Sequence, residues 1–248
     1  MGSGVTGNTA DSGSVIQGSI PCSPTKMTIA KKPAPRRPIE RRKRDHSTRE
    51  DLLRVTVEQL NIGGEADIRL ESILAEADCS PSSLYHHFGN LRGLLDDAQI
   101  VRFSHLLSTR TAIFTRGVLD LKSREELIDY CIRSLDELMA ADGPTARSQR
   151  VNALGSTYHR PDFAKRMAEA QHEGSEALAA ALRVPQLRGL IDESVDLYSL
   201  AHWVQGLLFS RVLIELGGDD QLGKNWNQLT KRAILTALFG PEAVAGRL

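Results

Sequence analysis

Residues 67–95, DIRLESILAEADCSPSSLYHHFGNLRGLL, decide how the rest of the chain is read. Leu70, Ile73, Leu74 and Ala77 fall at i, i+3, i+4 and i+7, the spacing of one apolar helix face. Asp67 stands where an N-cap carboxylate would accept the first orphan amides. Asp78-Cys79-Ser80 interrupts the pattern. Ser80-Pro81 restarts it, with Ser as N-cap and Pro at the first helical position, where no amide hydrogen bond is lost. Leu84 and Phe88 anchor this second short helix at i, i+4, and its other face carries Ser82, Ser83, Tyr85 and His86. A helix this short is not stable alone, so its neighbours must hold it while the polar side chains face outward. A tight two-helix unit that displays short or flat hydrogen-bonding groups suits insertion into the major groove of DNA.

The run SPSSLYHHFGN, behind the helix ending Ile73-Leu74-Ala75-Glu76-Ala77, resembles the helix-turn-helix of TetR-family transcriptional regulators, and its specific part is Leu84 to Phe88. The resemblance spans roughly residues 47–107. It implies an all-α fold: an N-terminal three-helix DNA-binding domain, then a larger C-terminal helical domain for ligand binding and dimerisation. It also implies that the helix after Asn90 works as a lever between the two. Two positions depart from the family pattern. The family usually has Gly where this chain has Asp78, and Asp tolerates left-handed backbone better than most residues. The family tends to place a phosphate-facing Lys where this chain has Leu91, which leaves neighbouring Arg92 as the candidate substitute.

The 248 residues suffice for one small and one larger domain. No apolar run approaches the length of a membrane span, and the expected location is the cytoplasm. Cys22, Cys79 and Cys131 are odd in number and far apart, which fits neither a zinc site nor a secreted disulfide framework. The formal net charge of zero hides an asymmetry. Residues 1–49 hold ten Lys/Arg against three Asp/Glu, and the remainder holds 21 against 28. A basic arm on an acidic body suggests a polyanionic partner.

Residues 1–45 read as a disordered basic arm. Its start is rich in Gly, Ser and Thr, and Lys31 to Arg44 is a basic run whose prolines, Pro33, Pro35 and Pro38, keep its first half extended. Arg41, Arg42, Lys43 and Arg44 are candidates for tracking DNA phosphates or entering the minor groove. The competing reading is a solvated tail, or residues upstream of a start at Met27. Residues 46–107 read as the DNA-binding domain. The Ser47–Glu50 capping box opens its first helix, Leu52, Leu53, Thr56 and Leu60 face inward, and Gly63 or Gly64 suits a left-handed C-cap. From Asn90 to about Gly117, Leu91, Leu94, Leu95, Ala98 and Val101 extend an apolar stripe.

Residues 108–248 show helices and no strand signal. Ser123–Glu126 is a second capping box, followed by Leu127, Ile128, Cys131, Leu135 and Leu138 on one face. Helices follow at about 144–156, 161–182 with Val184-Pro185 as its stop, 194–216, and 225–239 before Gly240-Pro241. The last two carry more apolar surface than one core needs: Trp203, Leu207, Phe209, Ile214, Trp226 and Leu238. Such a surface usually marks an interface, here a homodimer in which the pair meets its copy as a four-helix bundle.

In the DNA-binding unit the backbone amides and hydroxyls at Pro81, Ser82 and Ser83 suit a phosphate. Tyr85 and His86 suit a phosphate or base edge, with His87 and Arg92 as further candidates. Adjacent His side chains diverge by about 100° on a helix, so His86 and His87 do not chelate one metal. No catalytic or nucleotide-binding motif occurs, so neither enzymatic activity nor a cofactor is expected. A small-molecule effector is implied by the family. Tyr158, His159, His202, Trp203 and Arg211 combine aromatic bulk with polar handles and are the candidates for its pocket. The expected function is that of a sequence-specific DNA-binding transcriptional regulator, a repressor that a small ligand releases from a palindromic double-stranded operator. The alternative is an effector-independent or ligand-activated DNA-binding protein whose basic arm supplies much of the affinity.

Overall fold

The computed structural model describes residues 38–141 and 143–247. Among them are nine α-helices and no strand. Four form an N-terminal head: α1 (Pro38–Ile62), α2 (Leu70–Glu76), α3 (Pro81–Phe88) and the first half of α4 (Leu91–Leu119), with a 3-10 turn at Glu65–Asp67. The body adds α5 (Arg124–Ala141), α6 (Gly143–Gly155), α7 (Pro161–Leu187), α8 (Leu197–Glu215) and α9 (Asp220–Phe239). No helix among the described residues is long and apolar enough to cross a membrane.

The expected arm lies outside the described residues as far as position 37. From Pro38 onward the backbone is already helical, upstream of the expected Ser47 start. Proline is at home in a first turn, and the Glu, Arg and Lys residues that follow are good helix formers. Ser47 therefore lies inside α1, where its hydroxyl donates to Asp51 Oδ2 at 3.3 Å instead of capping. Neither Gly63 nor Gly64 adopts the expected left-handed C-cap. Asp67 does not start α2 either. Its carboxylate accepts from Gly64 N at 3.0 Å and ties the 3-10 turn, so α2 begins later, at Leu70.

The inward face of α1 is as expected in kind: Leu52, Thr56 and Leu60 are buried, joined by Val55, while Leu53 is half-buried. The Thr56 hydroxyl donates back to Leu52 O at 2.7 Å, which makes a polar side chain tolerable there. These residues close on Ile73, Leu84, Leu94 and Ala98 as one small core. Along α4 the stripe then turns. Val101 is exposed, while Gln99 and Phe103 are buried, because α4 leaves the N-terminal head and meets α6 and α7 on another side. Phe103 joins Ala153, Phe163 and Met167 in a second cluster, and Val118 at the far end of α4 joins the large core of α5, α7, α8 and α9. One unbroken helix thus passes through all three cores and through position 107, where the sequence suggests a domain boundary.

The Ser123 box forms: Ser123 Oγ accepts from Glu126 N at 3.1 Å, and Glu126 Oε2 accepts from Ser123 N at 3.4 Å. Val184-Pro185 does not stop α7. Pro185 is buried inside its last turn, and the helix ends only at Leu187, where Arg188 N donates to Val184 O at 3.2 Å and Leu190 N to Pro185 O at 3.0 Å. The missing amide of Pro185 costs the helix one hydrogen bond, at Ala181 O. Part of the expected outward apolar set is also corrected. Leu238 is buried, and Phe209 stacks on Phe103 with ring centroids 5.9 Å apart. Trp203 is exposed as expected, and Leu213, Leu222 and Leu229, with Leu216 just after α8, join it on the outside.

Candidate functional site

The display helix α3 is built as its sequence implies. Ser80 caps it, its Oγ accepting from Ser83 N at 3.3 Å, and Pro81 takes the first turn. Leu84 is fully buried beneath it. Pro81, Ser82, Tyr85 and His86 form the exposed face, Tyr85 at 55 %, while Ser83, His87 and Phe88 are half-buried. The hydroxyls of Ser82 and Ser83 lie 2.8 and 3.0 Å from Ser80 Oγ, so three hydroxyls and the first-turn amides gather at one helix end. Arg92 is exposed on the first turn of α4, next to the Asn90 cap, which accepts from Gly93 N at 2.9 Å. The side chains of Arg41, Arg42, Lys43 and Arg44 lie outside what is described, although their backbone belongs to α1. We expect Ser80→Ala to destabilise α3 by about 1 kcal/mol, read as faster amide exchange in residues 81–88.

The angle of α3 is set by backbone. Asp78 takes the turn between α2 and α3 at φ 49°, the left-handed conformation that its short polar side chain tolerates. Between α3 and α4, a Cβ on Gly93 would stand 2.2 Å from Phe88 O. Only glycine lets the two helices approach this closely.

Two ion clusters tie the head to the body. Arg160, at the start of α7, pairs with Asp96 of α4 and reaches Glu65 Oε2 at 3.2 Å, with its guanidinium 4.6 Å from the Phe163 ring. Glu65 also accepts from Gln99 Nε2 at 2.9 Å, and Gln99 in turn accepts from Arg102 at 2.7 Å. Asp97 bridges Arg49 of α1, at 2.7 Å, and Arg166 of α7. All three carboxylates are half-buried, so these pairs are worth more than surface ones.

A cavity of about 280 Å³ lies among α4, α5, α7, α8 and α9. Leu107, Phe114, Leu135, Leu178, Val204 and Leu208 supply much of its wall. Exposed Arg133 and Glu137 mark its open side, and Gln205, 1 % exposed, is the polar group of its deep side. Cys131 also lines it, and burial pushes that thiol up to about 12, so it stays neutral.

None of the five expected pocket residues lines this cavity. Tyr158 and His159 are exposed in the turn between α6 and α7, their rings 4.0 Å apart. His202 and Trp203 lie on the opposite side of α8, where His202 meets Tyr198 at 4.5 Å. Arg211 sits beyond the cavity, 5.5 Å from the Trp226 ring. The cavity uses Leu200, Ala201, Val204, Gln205 and Leu208, a continuous α8 face. Gln205, a polar residue on the same helix face as Leu200, Ala201, Val204 and Leu208, was the signal in the sequence.

No protein-family profile matches the chain, and neither does any curated protein sequence. Solved structures do. GusR of Salmonella enterica is 21 % identical with a TM-score of 0.56 over 77 % of this chain and 95 % of its own. A TetR-family regulator from Cytophaga hutchinsonii is 15 % identical, with a TM-score of 0.59 over 79 % and 97 %. Another from Pectobacterium atrosepticum is 20 % identical, with a TM-score of 0.53 over 80 % and 96 %. N-terminal head, continuous α4 and helical body together place the described chain in the fold of the TetR-family transcriptional regulators.

Proposed function

We propose that this protein is a sequence-specific DNA-binding transcriptional regulator, a repressor released from a palindromic operator by a small ligand in the body cavity. The observation that carries this reading is α3 itself: a capped helix held by fully buried Leu84, with Ser82, Tyr85 and His86 turned to solvent. Its first-turn amides and the hydroxyls of Ser82 and Ser83 take a phosphate. Tyr85 and His86 reach base edges or phosphate, His87 and Arg92 flank them, and the basic run Arg41–Arg44 adds phosphate contacts. One such helix reads few base pairs, so two copies are needed. The outward leucines of α8 and α9 serve the homodimer as a four-helix bundle.

Coupling runs through α7. Leu178 and Leu182 face the cavity, and Arg160 and Arg166 hold Asp96, Asp97 and Glu65 at the other end. A ligand that moves α7 moves the reading head. A hundredfold release of DNA needs about 2.7 kcal/mol of differential ligand binding. We expect Arg160→Met to cost about 2 kcal/mol in denaturant unfolding, between an exposed and a fully buried pair. Because coupling is reciprocal, operator DNA should alter amide exchange in residues 174–187 of the unmodified protein and alter it less in Arg160→Met.

The deciding experiment is selection of binding sites from random duplex DNA. A palindrome with half-sites about 10 base pairs apart supports the proposal. No enriched motif, with binding that depends steeply on salt and vanishes without residues 1–44, would transfer the role to the basic arm and overturn it.

A further inference from the structure

We infer that the cavity takes a small, uncharged, mainly hydrocarbon ligand bearing one hydroxyl or carbonyl group, which docks on the side-chain amide of Gln205. This rests on the reading of the cavity as the effector site and specifies its chemistry.

The argument begins with Ser175 on α7, which is fully buried. Its hydroxyl hydrogen is committed to Gln171 O at 3.1 Å, so Ser175 Oγ can only accept. It accepts from Gln205 Nε2 at 2.8 Å, which fixes which end of the Gln205 amide carries nitrogen. The other end, Oε1, accepts from Gln171 Nε2 at 2.7 Å. A glutamine amide has two N–H groups and two carbonyl lone pairs. Gln205 has used one of each and retains one of each, on a side chain that lines the cavity. Gln171, behind it, does not line the cavity. The half-used amide of Gln205 suits a group that both donates and accepts, as a hydroxyl does. A carbonyl satisfies the free N–H alone.

Charge is excluded by the surroundings. The interior wall is aliphatic and aromatic, and its other buried polar groups, Thr111 and the Cys131 thiol, are neutral. Arg110, half-buried, and Arg133 and Glu137, in solvent, bring both signs to the lining. The Gln205 amide itself is bonded to two neutral groups, Ser175 and Gln171. An ion placed there would lose its hydration without replacement. The volume, about 280 Å³, is at the small end of ligand sites, and argues for one or two rings or a short chain.

The test uses full-length protein at pH 7 and four probes built on one ring system: 1-naphthol, naphthalene, 1-naphthoate and 1-naphthylmethylammonium. Dissociation constants are measured by calorimetry or fluorescence. Naphthol should bind about tenfold tighter than naphthalene, the margin of one buried hydrogen bond, and both should exceed the two ions. In Gln205→Met the advantage of naphthol over naphthalene should vanish while naphthalene binding persists. If either ion binds as tightly as naphthol, or if the naphthol advantage survives in Gln205→Met, the inference is overturned although the cavity remains a ligand site. If no probe binds at all, the effector reading of the cavity falls with it. Should the variant fail to fold, the ranking of naphthol against the two ions in the unmodified protein decides alone.

Discussion

Replacing both Ser82 and Tyr85 with alanine should weaken binding to the selected operator by roughly two orders of magnitude. Each contact to a phosphate or base edge is worth about 1–3 kcal/mol, and α3 offers both from one exposed face. Ser82 is exposed and Tyr85 is 55 % exposed, so neither truncation opens a cavity. The melting temperature should therefore stay within about 2 °C of the unmodified value, as usual for surface changes. Fluorescence anisotropy at one fixed salt concentration, alongside a thermal melt, separates the two effects. Undiminished affinity in the double variant would mean that α3 is not the reading element.

The largest stability loss should come from the opposite end of the molecule. Glu215, at the end of α8, lies buried between two guanidinium groups. Arg147 of α6 donates to its Oε1 at 2.7 Å from Nε, with a second contact from Nη2, and Arg211 Nε stands 3.8 Å away. The Arg147 and Glu215 side chains are each only 8 % exposed. Burial, then the nearby Arg147 charge, lowers the Arg211 pKa, and Glu215 opposes both. Glu215→Gln therefore leaves two buried cations without this carboxylate, at a cost of about 3–5 kcal/mol, or roughly 10 °C in melting temperature. Arg211→Met removes a like charge and keeps an apolar stem against Trp226, so it should cost about 1 kcal/mol. Equal losses in the two variants would show that Glu215 is not the counter-ion of the pair.

Local chemistry was legible in part, since the caps expected at Ser47, Asp67 and Gly63 or Gly64 did not form. The Ser80 cap, Pro81, the Leu84 anchor, the turn at Asp78 and the Ser123–Glu126 box each depend on residues a few positions apart, and each appears as expected. Ends were less legible where favourable and unfavourable residues compete: α1 extends upstream through a basic run, and α7 extends past Pro185. The cavity was missed for a geometric reason. Successive side chains on a helix diverge by about 100°, so His202 and Trp203 turn away from the face used by Ala201, Val204 and Gln205. The ion clusters were beyond reach, because Arg160 meets Glu65 across 95 positions, and nothing local announces such a pair.

The unbroken course of α4 constrains how this protein can change over generations. Asp96 and Asp97 engage the arginines of α7 near one end, while Thr111 and Phe114 face the cavity nearer the other. One residue inserted between them would rotate everything beyond by about 100° and advance it by about 1.5 Å. No side chain can compensate for such a twist, since both ends are already docked. Substitutions along α4 are tolerated one at a time, whereas its length is inherited as a single quantity. Insertions and deletions should accumulate in the turn at 216–219, where no such phase must be kept.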